Sequence, residues 1–222
     1  MRKLKTVLLL FFILLSLIGC KTDDIKTDNI RFKEEYESIN GQLNESGKTI
    51  TTIEIDENNS IKYIEQQEVI DSLINGTHVV YFGWPECSWC RRALPVLIDT
   101  VNQYPGMRIY YFSIRQARED YENGVDSQLA ALYKEVSKVL LMSEIDFSEI
   151  SEVDDNGVLK IVASMLIFVK DGEVIGAHRR TVESHFDSYE ELTKAQIAEL
   201  KDIYDCYLQE MVSDNPAGCS GC

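Results

Sequence analysis

Apolar and polar segments alternate along the chain, and the longest apolar segments predict a buried β-sheet. Residues 77–82 and 161–169 are almost continuously apolar, which is typical of strands covered on both faces. Residues 108–114 predict another strand, and residues 87–104 predict a helix that ends at Pro105-Gly106. A strand, a helix and a strand at this spacing indicate a right-handed βαβ unit with parallel strands.

The flanking segments predict further strands and helices. Residues 49–55 alternate and are rich in β-branched side chains, so they predict a strand; residues 60–64 predict a short strand and 65–74 a helix. The turn at Asp171-Gly172 predicts a hairpin in which residues 173–177 pair back antiparallel. Thr193 and Gln196 form a capping-box pattern that begins a last helix. The apolar stripe of that helix consists of Ile197, Leu200, Tyr204, Tyr207 and Met211.

Residues 115–159 are mostly polar and contain one predicted amphipathic helix, which we interpret as an insertion packed on the core. Its apolar positions are Leu129, Leu132, Val136, Val139 and Leu140. The order of a βαβ unit, an insertion, a hairpin and a helix predicts an α/β domain over residues 48–212. Residues 20–47 are predicted to be a polar tether with one short helix at 32–39, and residues 213–222 a flexible tail containing two cysteines.

The first 19 residues have the features of a secretory signal. Arg2, Lys3 and Lys5 precede an apolar run at 7–15 that is too short for a comfortable membrane span. Residues 17–20 read LIGC, which resembles the lipobox of bacterial lipoproteins, in which the cysteine is diacylated and becomes the mature N-terminus. The resemblance implies lipidation at Cys20 and an extracytoplasmic location on the cell membrane. The alternative is an uncleaved anchor helix that happens to contain a cysteine.

Charge and cysteine content narrow the function. The chain has a formal net charge of −15, which makes it a poor binder of nucleic acid because phosphate affinity depends on clustered Lys and Arg. Apart from Cys20, five cysteines remain, and four of them form two C-x-x-C pairs, Cys87 with Cys90 and Cys219 with Cys222. In an exported protein such pairs indicate redox chemistry or metal binding.

The first pair stands where a predicted buried strand ends and a helix begins. At the first turn of a helix, unpaired N–H groups and the helix dipole favour the thiolate of Cys87. Arg91 and Arg92 add positive charge nearby. Cys90, one turn later, can reach the same sulfur but is shielded. We therefore expect Cys87 to attack and Cys90 to resolve the mixed disulfide.

The sequence around this pair, FGWPECSWCRR at 82–92, resembles that of thioredoxin-like proteins. It is most similar to the exported thioredoxin-like lipoproteins of Gram-positive bacteria, including those called bacteriocin transport accessory proteins. The resemblance covers residues 60–178, with Pro95 matching the helix-bending proline of thioredoxins and the segment 167–174 matching their hairpin.

This resemblance implies a thioredoxin-like three-layer fold and a thiol–disulfide oxidoreductase that needs no cofactor. It implies exported thiol- or disulfide-containing proteins or peptides as clients, and leaves room for a membrane electron-transfer partner. Trp84, Trp89, Ser164 and Arg180 are the candidate client contacts.

Two departures from the thioredoxin pattern bear on mechanism. The position of the thioredoxin cis-proline is occupied by Ser164 (or Ala163, one residue away), and we expect a trans peptide there because a non-proline cis bond costs roughly 2.5–4 kcal/mol. The buried acid of thioredoxins, six residues before the nucleophile, is replaced by Tyr81, and Glu86 is the nearest carboxylate in sequence.

Several alternatives stay open from the sequence. Cys219 and Cys222 could form a local disulfide, act as a second redox pair, or complete a four-cysteine metal site with the first pair. A metal-delivery protein and a non-catalytic accessory module of a peptide exporter are therefore the competing functions. Cys206 flanks the apolar stripe of the last helix and is expected to be a half-buried small hydrophobe. The scattered histidines are expected to be ordinary polar positions: His78, His178 and His185.

The lipobox interpretation predicts the effect of one substitution. Cys20→Ala removes the acylated side chain, so the protein should leave the membrane fraction while the domain keeps its stability. Fractionation of cells after a high-salt wash measures this. Retention of the variant on membranes after the wash would contradict lipid anchoring at Cys20.

Overall fold

The computed structural model describes residues 26–213, which form a five-stranded mixed sheet with helices on both faces. The predicted signal segment, the lipidation site Cys20, and Cys219 and Cys222 of the tail lie outside these residues. The expected mixed α/β architecture is confirmed. Over the described range, no helix is both long enough and apolar enough to cross a bilayer.

Most of the predicted helices and strands are present, with shifts at their ends. The α-helices are α1 (Asp28–Glu37), α2 (Val69–Ile74), α3 (Ser88–Val101), α4 (Arg115–Glu122), α5 (Gln128–Met142) and α6 (Lys194–Val212). The strands are β1 (Ile61–Tyr63), β2 (His78–Gly83), β3 (Ile109–Ser113), β4 (Met165–Lys170) and β5 (Glu173–Arg179). Two 3₁₀ turns occupy Gln66–Glu68 and Phe147–Glu149.

The strands are arranged in the order β1-β3-β2-β4-β5. β1 and β2 both run parallel to β3, whereas β4 is antiparallel to β2 and β5 is antiparallel to β4. All six residues of β2 are buried, as expected of a central strand. The predicted βαβ unit is therefore β2–α3–β3, and the predicted hairpin is β4–β5.

Side chains alternate between two cores, one on each face of the sheet. Val79 and Tyr81 of β2 point into a core that also contains residues of α1, α3 and α6. Val80 and Phe82 point into the opposite core, which α2, α4 and α5 cover. Because consecutive strand residues face opposite ways, the sheet separates two helical layers. The site sequence FGWPECSWC begins at the end of this central strand.

The folded unit begins earlier than the sequence predicts. The sequence predicts a tether over residues 20–47 with a short helix at 32–39, but the helix is α1 (Asp28–Glu37), and it packs on the sheet with Phe32 and Tyr36 fully buried. The Phe32 ring centroid lies 4.9 Å from that of Tyr111, edge to face. Two aromatic residues four positions apart lie on one helix face, and they supply nearly all of the apolar surface in a polar segment. The sequence signal was correspondingly weak.

The predicted strand at 49–55 is wrong, although its pattern of burial is right. Ile50, Ile53 and Ile55 are buried, but the segment does not join the sheet. Side chains at the end of α1 and just beyond it satisfy its backbone instead. The N–H of Ile53 donates to Oδ1 of Asn40 at 3.0 Å, and the N–H of Ile55 donates to Oε1 of Glu37 at 2.7 Å. The alternating apolar pattern of residues 49–55 indicated which side chains are buried, but it did not indicate which groups the backbone bonds to.

The insertion contains two helices rather than one. α4 was missed because only Ala117 of its eight residues is buried, so it has no apolar stripe. Strand β4 also begins at Met165 rather than at residue 161, because the N–H of Ile161 donates to the Tyr133 hydroxyl at 2.8 Å instead of joining a ladder. In the last helix, Leu208 is buried and Ile197 is 41% exposed, so the predicted stripe is slightly rotated.

The packing of α1 predicts a large loss of stability for Phe32→Ala. Truncating a fully buried phenylalanine typically costs about 3–5 kcal/mol of unfolding free energy. Glu34→Ala is the matched control, because this side chain on the same helix makes only an exposed ion pair with Lys26. Urea denaturation measures both. Equal midpoints for the two variants would mean that α1 is not part of the cooperative unit.

Candidate active site

The two cysteines of the first C-x-x-C motif occupy opposite environments at one helix end. Cys87 is the N-cap of α3, and its sulfur accepts a hydrogen bond from the N–H of Cys90 at 3.2 Å. The Cys87 side chain is half-buried, whereas Cys90 is completely buried, and both are free thiols. The strand β2 positions them, because its last residue, Gly83, is followed directly by the loop that leads into the helix.

The electrostatics of the pair distinguish the two sulfurs. Burial alone would raise the pKa of the Cys87 thiol, but hydrogen bonds outweigh it and the pKa lies below the usual value. The donors are the Cys90 side chain and the backbone N–H groups of Cys90, Ser164 and Trp89. Burial raises the pKa of Cys90 well above normal, and the negative charge of Cys87 raises it further. At neutral pH the thiolate therefore forms more readily on Cys87.

Ser164 lies beside Cys87, as its alignment with the thioredoxin proline predicts. Its backbone N–H is one of the donors to the Cys87 sulfur. No cis peptide occurs between residues 26 and 213, so the bond here is trans, as expected. Its carbonyl accepts from the N–H of Arg180 at 2.9 Å. The Ser164 hydroxyl is buried and has no hydrogen-bond partner, so the backbone carries this residue's interaction with sulfur.

The expected client contacts are brought together in part. Trp89 is half-buried, and the guanidinium carbon of Arg180 lies 5.3 Å from the centroid of the Trp89 ring. His185 meets the same indole edge to face at 5.5 Å. Phe186 follows it and is 88% exposed. Trp84 is also half-buried, and it packs against both cores.

The arginines after Cys90 do not serve as free positive charges. Arg91 is 1% exposed, and its guanidinium donates to the carbonyls of Tyr36 and Pro85, each at 2.9 Å, and also to the carbonyl of Thr51 and to Oδ1 of Asn40. Burial lowers the pKa of Arg91, although the group stays far above neutrality. The expectation of a nearby cation holds, but its main contacts are structural.

The neighbouring charges are also committed to other contacts. Arg92 donates to the carbonyls of Ser188 and Tyr189 at 3.2 and 2.9 Å, which fixes the loop that carries His185 and Phe186. Glu86, the nearest carboxylate in sequence, lies 3.4 Å from the guanidinium of Arg115. Its negative charge is therefore partly offset and opposes thiolate formation at Cys87 less than its position in the sequence suggests.

A pair of tyrosine hydroxyls lies near Cys90, and one of the two tyrosines is distant in sequence. The Tyr81 hydroxyl and the Cys90 sulfur both lie against Gly83, and hydrogen bonding from Tyr81 acts to lower the pKa of Cys90. The Tyr36 hydroxyl is 3.4 Å from that of Tyr81. The sequence marked Tyr81 as a departure, but it carried no sign that Tyr36, on α1, reaches the site.

Cys206 is half-buried, as expected, but it takes part in a disulfide rather than being a free small hydrophobe. In the part of the chain from Lys26 to Ser213, no three His, Cys, Asp or Glu side chains are grouped as metal ligands. Burial lowers the pKa of His178 to about 4, so this ring is neutral and structural at physiological pH.

No protein-family model matches the sequence, and no curated protein matches it. What the site can do chemically therefore follows from its own geometry. A half-buried thiol that is readily ionised, with a second thiol one helical turn away, can form a mixed disulfide with another molecule and then release it.

The contact between Ser164 and Cys87 predicts a specific effect on reactivity. Ser164→Pro removes the N–H donor, so the pKa of Cys87 should rise and its alkylation by iodoacetamide should slow several-fold at neutral pH. Ser164→Ala is the matched control, because it removes only the unpartnered hydroxyl. The pH dependence of Cys87 alkylation should be unchanged in this variant. A profile shifted equally in both variants would contradict the role of the backbone donor.

Proposed function

We propose that this chain is a thioredoxin-like, lipid-anchored thiol–disulfide oxidoreductase that acts on exported polypeptides outside the cytoplasm. The observation that carries the proposal is the asymmetry of the cysteine pair. Cys87 caps α3, is partly accessible and accepts several hydrogen bonds that favour its thiolate. Cys90 is wholly buried one turn later and holds its proton.

The reaction runs in two exchange steps. The Cys87 thiolate attacks one sulfur of a client disulfide, which forms a mixed disulfide and expels the first client sulfur as a thiolate. Cys90 then loses its proton to solvent and attacks the Cys87 sulfur. This forms the Cys87–Cys90 disulfide and releases the second client sulfur as a thiolate. The client gains two electrons that the pair loses, and the reverse sequence oxidises a client dithiol.

The architecture supports the thioredoxin-like assignment. The strand order β1-β3-β2-β4-β5, with the cysteines at the junction of β2 and α3 and an antiparallel hairpin after them, is the arrangement that the resemblance implies. Ser164 occupies the position expected for the thioredoxin proline. Helix α1 and the helices α4 and α5 are additions that cover the two faces of the sheet.

The surroundings of Cys87 favour a polypeptide client. Trp89, Arg180 and the exposed Phe186 lie on the side of the site formed by α3 and the loop after β5. An apolar indole under a guanidinium can contact apolar and acidic side chains of an extended chain. Trp84 and Ser164 would contribute at the inner edge. With Cys20 lipidated, the domain would work at the outer face of the cell membrane, and an electron-transfer partner in that membrane would reset the pair.

Trapping experiments test this proposal. Cys90→Ala should accumulate mixed disulfides with an unfolded disulfide-containing protein, because Cys87 still attacks and nothing resolves the adduct. Cys87→Ala should trap several-fold less, because Cys90 is buried. Non-reducing electrophoresis and mass spectrometry measure both. Equal trapping, or trapping mainly by Cys87→Ala, would overturn the assignment of roles.

A second measurement separates the competing functions. The unsubstituted protein should catalyse exchange on the same disulfide substrate, whereas an accessory module would not. Metal analysis of protein purified under reducing conditions should find no stoichiometric metal. One bound metal ion per chain together with absent turnover would favour the metal-delivery function.

A further inference from the structure

The resolving cysteine lies among buried tyrosines rather than beside a carboxylate. Four tyrosine side chains lie close enough to Cys90 to interact with it electrostatically, and each is at most 1% exposed: Tyr36, Tyr81, Tyr111 and Tyr204. The buried polar and charged residues between positions 26 and 213 include no Asp or Glu. Within this range, no buried carboxylate is therefore available to accept the proton of Cys90, and a thiolate formed there needs a hydrogen-bond donor to stabilise it.

We propose that Tyr81 is a further catalytic residue, whose hydroxyl donates a hydrogen bond to Cys90 while this sulfur is a thiolate, and that Tyr36 is a positioning residue which orients that hydroxyl. The proposal rests on the thiol–disulfide exchange proposed above. It adds a residue from β2 and one from α1 to a site otherwise built from the helix end and the loop before β4.

The backbone at Gly83 brings the Tyr81 hydroxyl and the Cys90 sulfur together. A Cβ atom placed on Gly83 would lie 2.3 Å from the Tyr81 hydroxyl oxygen and 3.0 Å from the Cys90 sulfur. Any side chain at position 83 would therefore displace one of these groups. Only glycine leaves the space in which the hydroxyl reaches the sulfur.

The direction of the hydrogen bonds is set by protonation. Burial raises the pKa of Tyr81 and of Tyr36 far above neutrality, so both hydroxyls keep their protons and act as donors, not as bases. A hydroxyl has one proton to donate, so when Tyr81 donates to Cys90, Tyr36 is left as the donor to Tyr81, whose oxygen is 3.4 Å away. A donor already bonded to sulfur stabilises the thiolate without moving, because the surrounding rings fix it in place.

The same donor should act in both directions of the reaction. In resolution, Cys90 is the attacking thiolate, and in the opening of the Cys87–Cys90 disulfide it is the leaving thiolate. At neutral pH its sulfur is neutral in both end states, either as a thiol or in the disulfide. Tyr81 should therefore change the two rates together and leave the equilibrium between dithiol and disulfide nearly unchanged.

The test uses the chain from residue 20 with Cys20, Cys206, Cys219 and Cys222 replaced by serine, so that two thiols remain. The probe is 5,5′-dithiobis(2-nitrobenzoate), which releases one coloured thiolate when Cys87 attacks and a second when Cys90 resolves the adduct. Reduction of the disulfide by dithiothreitol gives the reverse rate and the equilibrium constant. Thermal unfolding reports on the fold of each variant.

Tyr81→Phe should slow the second release and the reverse opening roughly three- to tenfold. Without the hydrogen bond, a smaller fraction of Cys90 is ionised and its thiolate is a poorer leaving group. The greater nucleophilicity of the more basic thiolate offsets only part of this loss. The first release and the equilibrium constant should change less than about twofold. Tyr36→Phe should slow the same two steps by a smaller factor. Tyr204→Phe is the matched control, because it removes a buried hydroxyl near Cys90 that has no hydrogen-bond partner, and both rates should stay at the parent values.

Two results would overturn the proposal while leaving the proposed function intact. One is a normal second release in Tyr81→Phe. The other is an equal slowing in Tyr204→Phe, which would assign the effect to packing. A parent protein that shows no second release would instead contradict the exchange reaction itself, so the two failures are distinguishable.

Discussion

The buried guanidinium of Arg91 constrains how the parts around the active site fit together. A charge taken out of water is costly unless its donors are satisfied. The described partners of Arg91 are neutral oxygens of Tyr36 in α1, Asn40 just after it, Thr51 in the segment 49–55, and Pro85 in the loop before Cys87. These acceptors must be in place together. Because Arg91 follows Cys90 directly, the same contacts hold the start of α3 and align both sulfurs with their donors.

The segments that form the site give the two cysteines opposite environments. The backbone of α3 and of Ser164 surrounds Cys87 with N–H groups while leaving its sulfur accessible. Strand β2 and helix α1 enclose Cys90 in aromatic side chains that exclude water. Ionisation is favoured at the accessible sulfur and resisted at the buried one. In the proposed exchange, this difference would set the order in which the two sulfurs act.

Local patterns predicted much of the fold and of the site. The buried strands, the βαβ unit, the hairpin and the placement of Cys87 at the start of a helix follow from apolar runs and turn residues, and Ser164 follows from the resemblance to thioredoxins. Long-range contacts were not predictable in this way. Nothing in the polar segment around Phe32 indicated that it covers the sheet. A side chain such as Arg91 would be taken as exposed until three of its acceptors, 40 to 55 residues away, are known. Helix α4 lacks the periodicity on which recognition depends.

The early start of α1 sets how far the domain could travel from a membrane. If Cys20 is acylated as proposed, only the residues between it and Asp28 separate the lipid from packed structure. Eight Cα-to-Cα steps, even fully extended, span at most about 29 Å. That reach is shorter than the thickness of a bilayer with its headgroups, roughly 40–45 Å. Such a domain would stay close to the membrane surface. It would meet polypeptides as they emerge from the membrane rather than after they have diffused away.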